Sequence, residues 1–199
     1  MTGTMKPLLC TTLALAGLIA ITTLAAAQPG LQNENFFTPV PRDFKVAFTK
    51  STPGLMMMEM VPRAETAQNW SEMVTIQTFL GLRSKPAAGF LNNMGALWQR
   101  QCPGFTHGPV FNGVSNGYPV SMVLLTCSRD PITGKPETTM FRAISGADSF
   151  YVAQYAFGYA AGPDNIRKAA GYLATVKACD TRSPDHPCAN AFAVSPQAR

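Results

Sequence analysis

The stretch YPVSMVLLTC, Tyr118 to Cys127, constrains the fold more than any other segment. Val120, Met122, Val123, Leu124 and Leu125 put apolar side chains on both faces of an extended strand. A strand apolar on both faces is central to its sheet and covered on each side. The neighbouring segments supply the rest of such a sheet. FKVAFTK, starting at Phe44, alternates Phe44, Val46 and Phe48 with Lys45, Ala47 and Thr49, the period-two signature of a half-buried strand. LMMMEMV follows across Ser51-Thr52-Pro53-Gly54. NWSEMVTIQTFL predicts a third strand, with Trp70, Val74, Ile76 and Leu80 on one face and Met73, Thr75, Gln77 and Phe79 on the other.

Covering helices are also readable. After Pro86, suited to a first helical turn, Phe90, Leu91, Met94, Leu97 and Trp98 repeat at helical spacing, which predicts a helix from about Ala87 to Gln101. A last helix opens at Gly162-Pro163-Asp164. Its stripe of Ile166, Ala169, Ala170, Leu173 and Val176 faces the sheet, and it is expected to run to about Cys179. Asn112-Gly113 and Asn116-Gly117 are hairpin-turn dipeptides, and ETTMFRAIS and SFYVAQYAFGY read as two more strands. Tight turns between successive strands mean antiparallel pairing. The expected fold class is α+β, an antiparallel sheet of about six strands packed against helices.

The amino terminus sets the compartment. Lys6 precedes an apolar run from Pro7 to Leu24, then Ala25-Ala26-Ala27, which reads as a secretory signal peptide cleaved before Gln28. The same run retained as a membrane anchor would export the body equally. The domain boundaries follow: 1–27 signal peptide, 28–43 extended N-terminal arm, 44–179 a single α+β domain, 180–199 a disulfide-clasped C-terminal tail. Fifteen basic residues then stand against eleven acidic ones, scattered along the chain and not interleaved with aromatics. Nucleic acid is not an expected partner, and no membrane span is expected after cleavage.

Once Cys10 leaves with the signal, Cys102, Cys127, Cys179 and Cys188 remain. In an oxidising compartment they read as two disulfides, with three pairings open to sequence. The local pairing Cys102–Cys127 and Cys179–Cys188 closes the shortest loops and would contribute about 2.5–3.5 kcal/mol per bond. Within CDTRSPDHPC, a zinc site from Cys179, His186 and Cys188 lacks knuckle spacing. A redox pair lacks the C-x-x-C arrangement. A structural clasp is the expectation, with no metal and no cofactor.

Other chemistry-bearing patterns are short. GVSNG matches the G-x-S-x-G elbow with Ser115 as nucleophile, but the elbow needs a helix after it and a strand is expected here. Met56, Met58 and Met60 share one face of a strand, a soft-ligand set for Cu(I) or else core packing. Glu59 and Glu72 lie on neighbouring strands. Tyr151, Tyr155 and Tyr159 form an aromatic row that is either core or, where exposed, a binding surface.

The element order and the strand NWSEMVTIQTF resemble the PsbP-like fold over roughly Phe44 to Cys179. That resemblance implies an α/β/α sandwich acting as a non-enzymatic accessory or binding module. The expected function is an exported binding or accessory protein of the bacterial cell envelope, periplasmic or secreted, docking to a protein partner or a small ligand. The competing readings are a small serine hydrolase using Ser115 and a periplasmic Cu(I)-binding protein using Met56, Met58 and Met60.

Overall fold

The computed structural model describes residues 33–188. The expected signal peptide, the beginning of the arm and the end of the tail lie outside them. The chain runs β1 (Glu34–Phe37), β2 (Phe44–Thr52), β3 (Leu55–Pro62), β4 (Glu72–Leu80), α1 (Ala87–Gln101), β5 (Thr106–His107), β6 (Phe111–Ser115), β7 (Tyr118–Cys127), β8 (Glu137–Ser145), β9 (Ser149–Phe157), α2 (Pro163–Thr175) and β10 (Lys177–Asp180).

The fold is α+β, and the main sheet holds eight strands where about six are expected from the sequence. Its order is β2-β3-β4-β9-β8-β7, with β5 and β6 sharing the outer side of β7, and all pairings are antiparallel. The extra strands are short: β5 has two residues and β6 five. A two-residue strand carries no periodicity, so sequence pattern cannot announce it.

Alternation along β8 and β9 divides the core into two layers. Phe141, Ala143, Phe150 and Val152 face α1, where Ala87 and Leu91 close over them. Met140, Ala153, Tyr155 and Phe157 face the other way, under Ala169 and Leu173 of α2. Leu91 and Leu173 are fully buried, so truncating either to alanine costs about 2–5 kcal/mol. From Ser121 to Cys127 the run of β7 is buried on the α1 face and only partly covered on the other, at Met122 and Leu124; β7 stands next to the sheet edge, and the innermost, most buried strands are β8 and β9.

Several local expectations are corrected. The stretch read as an extended arm contains β1, which pairs with β10 in a separate ribbon, Glu34 opposite Asp180 and Phe37 opposite Lys177. This ribbon lays Phe36 and Ala178 over Tyr118, Val120, Ile144 and Tyr151, on the same sheet face as α2. α2 stops at Thr175, so Cys179 stands on a strand and not at a helix end. Asn112-Gly113 lies inside β6, paired with Ser121 and Val120, while Asn116-Gly117 makes the turn. Trp70 precedes β4 and packs with Val61, Met73 and Ala156, the layer opposite Val74 and Ile76.

Both disulfides join local partners. Cys102–Cys127 ties the residue after α1 to the end of β7, and Cys179–Cys188 closes the loop that follows β10. Among the described residues, no helix is long and apolar enough to cross a membrane.

Candidate functional site

The β6–β7 hairpin turns through Asn116 (φ 50°) and Gly117 (φ 80°), the left-handed pair of a type I′ turn. Gly117 is required twice over. Its φ disfavours a side chain, and a Cβ there would stand 2.4 Å from both the Asp185 carbonyl oxygen and His186 Nδ1. The clasp loop rests on this turn. Asn116 Nδ2 donates to the carbonyls of Ala178 (2.9 Å) and Pro187 (3.3 Å). The imidazole of His186 stacks on Tyr118 with ring centres 3.9 Å apart.

His186 Nδ1 lies 3.0 Å from the Asn116 carbonyl oxygen. A carbonyl only accepts, so Nδ1 carries the hydrogen and Nε2 is left to bind elsewhere. The His186 carbonyl accepts from Asp180 N–H at 2.7 Å, which anchors the loop at its other end. Tyr118 is buried and its hydroxyl makes no hydrogen bond of acceptable geometry. Burial first, and the Glu34 carboxylate beside it second, hold this phenol above its ordinary pKa.

Two ion networks fix the surrounding cap. Glu34 accepts from the N–H groups of Ala147 (2.6 Å), Asp148 (2.9 Å) and Ser149 (3.0 Å), and from the Tyr151 hydroxyl (2.8 Å). Arg182 pairs with Asp180 and Asp148, each at 2.6 Å. Its hydrogen bonds hold the Asp180 carboxyl below the usual aspartate range.

Between the hairpin, the β8–β9 turn, the clasp loop and the first turn of α1 lies a cleft of about 560 Å³. Tyr118, Val120, Pro119, Ala87 and Ala88 give it apolar walls, and Asn112, Ser121, Ser145 and His186 place polar groups on them. Asn112 Oδ1 accepts from Ser121 Oγ at 2.7 Å. Ser145 Oγ donates to the Lys85 carbonyl (2.7 Å) and accepts from Ala87 N–H (3.2 Å). The polar groups are therefore oriented by fixed partners, and the concavity is of the size that holds small molecules.

The sequence candidates are dispersed. Ser115 ends β6, and β7 begins three residues later, so a strand occupies the place of the elbow's helix. Tyr151 and Tyr155 are buried, at 3% and 1% exposure, and belong to the core, while Tyr159, beyond the end of β9, is partly buried against it. Their hydroxyls are engaged inside: Tyr151 with Glu34, Tyr155 with Glu72 at 2.6 Å, and Tyr159 with Glu72 at 3.4 Å. Met60 is fully buried, Met58 partly, and Met56 is 51% exposed, a gradient from core to rim that packs Met60 in the layer beneath α2. Glu59 and Glu72 occupy odd and even positions of paired strands and point to opposite faces. Among the described residues, no group of three or more His, Cys, Asp or Glu could hold a metal ion.

The cleft residues were not legible as a set, since they come from four separate segments. The nearest signal is the pairing of Asn116-Gly117 with a histidine inside the disulfide loop.

No protein-family model matches the chain, and no curated protein matches it. The expected resemblance to PsbP-like proteins is not shown by these comparisons. Among solved structures the chain is similar to LpqN, involved in cell envelope biogenesis of Mycobacterium tuberculosis. Identity is 14%, over 74% of this chain and 82% of that one, with a TM-score of 0.38. A superposition this loose carries no functional inference.

Proposed function

We propose that this protein is an exported, non-enzymatic binding or accessory protein of the bacterial cell envelope, and that it holds a small, largely apolar ligand in the cleft beside the β6–β7 hairpin. The observation that carries the reading is the cleft itself: apolar walls with a few polar groups locked by internal hydrogen bonds. Two disulfides support an oxidising compartment, as does the signal-like amino terminus. The lining offers recognition more readily than chemistry. Its only imidazole donates Nδ1–H to a backbone carbonyl, and two of its three serines, Ser121 and Ser145, are bonded to Asn112 and to the backbone.

The test is ligand retention. The protein is incubated with a small-molecule extract of bacterial envelopes, washed, and its retained compounds identified by mass spectrometry. Ala88→Trp, which fills the cleft from the first turn of α1, is expected to release what the wild type keeps. Equal retention by both, or none by either, would contradict the proposal. A fluorophosphonate probe is expected to leave Ser115 unlabelled, and labelling would move the protein to the hydrolases.

A further inference from the structure

The sheet face that carries α2 contains one charged side chain that the packing does not use. Arg142 on β8 stands opposite Met122 on β7 and Ala153 on β9. The row continues outward to Phe111 on β6, and inward through Ile76 to Met58. Directly opposed residues of antiparallel strands share a face. A guanidinium therefore sits in the middle of a row otherwise made of apolar side chains.

Arg142 is 6% exposed. Its Nη1 donates to the Met122 thioether at 3.8 Å, a weak acceptor, and its Nε is buried without a partner. Burial lowers its pKa from the ordinary arginine value, with no ionised neighbour contributing. Arginine nonetheless keeps its proton in proteins. The carboxylates bonded to this face are already committed. Glu34 is taken by Tyr151 and three backbone N–H groups, and Glu72 by Tyr155 and Lys168. A buried guanidinium whose Nε finds no acceptor is an unfavourable arrangement for a core, and an anion from outside the chain would satisfy it.

We propose that Arg142 is the anion-binding residue of a second site, separate from the cleft, that takes a small apolar carboxylate from the β6–β7 side of the sheet. That side is the open one. Met122 and Leu124 are only partly buried, and Phe111 is 67% exposed. The planar guanidinium fork matches a carboxylate; Nε is closed off in this structure, so the partly buried Met122 side chain has to swing aside for the carboxylate to reach it. The thioether, leucine and ring beside it suit an apolar tail. A phosphate dianion would surrender more hydration for the same single cation.

Octanoate is the probe, titrated calorimetrically into the protein and followed by methyl and aromatic NMR. One saturable site is expected, with shifts at the Met122 methyl, the Ala153 methyl and the Phe111 ring. Arg142→Met should weaken binding at least tenfold while the melting temperature stays level or rises, since an apolar residue of similar length replaces an unpaired charge. Arg142→Lys keeps the charge without the fork and should fall between. The proposal is overturned by unchanged affinity in Arg142→Met, by shifts confined to the cleft, by phosphate binding as tightly as octanoate, or by no octanoate binding at all. If Arg142→Met does not fold, the wild-type shift map and Arg142→Lys decide the question alone.

Discussion

Tyr151 and Tyr155 stand four residues apart on the same face of β9, both buried, each donating to a carboxylate from a distant part of the chain. The two carboxylates are held in different ways. Glu34 is surrounded by three backbone N–H groups of the β8–β9 turn and, among the described residues, forms no ion pair. Glu72 accepts from two phenols and pairs with Lys168, which is half-exposed and also lies 5.8 Å from the Tyr155 ring centre. The first arrangement uses dipoles fixed by the fold and ties β1 to the turn between β8 and β9. The second uses a long side chain that solvent and salt can reach. Between them lies Arg142, a cation served by neither.

The largest expected effect separates the two carboxylates. Glu34→Ala leaves three N–H groups and a phenol without their shared acceptor, and should cost about 2–4 kcal/mol in urea denaturation. Glu72→Ala should cost less, about 1–2 kcal/mol, because Lys168 and Tyr159 can turn to water. Equal losses would erase the distinction drawn between fixed and flexible partners.

Salt gives a finer separation. Lys168→Met should cost no more than about 1 kcal/mol, and less in 1 M salt, since one partner is half-exposed. Glu34→Ala should show little salt dependence. A salt-sensitive Glu34 would mean that charge pairing, not backbone donation, holds it.

All five tyrosines have pKa values raised above the ordinary phenol value, burial being the first cause in each. A raised phenol pKa contributes stability at pH below about 10, the unfolded value, and that contribution is lost as pH rises beyond it. Ultraviolet titration should therefore show little phenolate near pH 10 and a cooperative rise on alkaline unfolding. Glu34→Gln removes only the secondary causes for Tyr151, so its phenol should stay raised; a return to about 10 would make the carboxylate, not burial, the principal cause.

The smallest expected effect is acid-side. Arg182 depresses the Asp180 pKa, so the pair contributes stability at neutral pH that is lost as pH falls below about 4 and through the depressed value. Asp180→Asn should flatten that part of the stability profile, as followed by denaturation at pH 3 and pH 7.

How much of this was legible depended on range in sequence. The strands at Leu55, Glu72, Tyr118, Glu137 and Ser149 and both helices follow local apolar patterning, because their apolar side chains face one or both layers of the core; β2 keeps the pattern although only Phe44 of it is buried. β1 and β10 could not be read so. Each has four residues, they are paired across the whole domain, and Glu34 opposite Asp180 has no local signature. The end of α2 was misjudged because apolar Val176 continues the stripe of Ala169, Ala170 and Leu173, whereas the chain leaves the helix after Thr175 and pairs Cys179 with Asn35. The cleft was invisible for the same reason as β1: residues 84–88, 112–121, 145–147 and 186 meet only once the sheet is assembled. Arg142 drew no notice within ETTMFRAIS, since only the register shows that it stands between Met122 and Ala153 with no carboxylate directly opposite.

Ligand binding in the cleft is the central claim, and amide shift mapping with a set of small apolar fragments tests it most directly. The account predicts shifts clustered at Asn112, Tyr118, Ser121, Ser145 and Gly146, and their loss in Ala88→Trp. Fragments that leave those amides unmoved would contradict it.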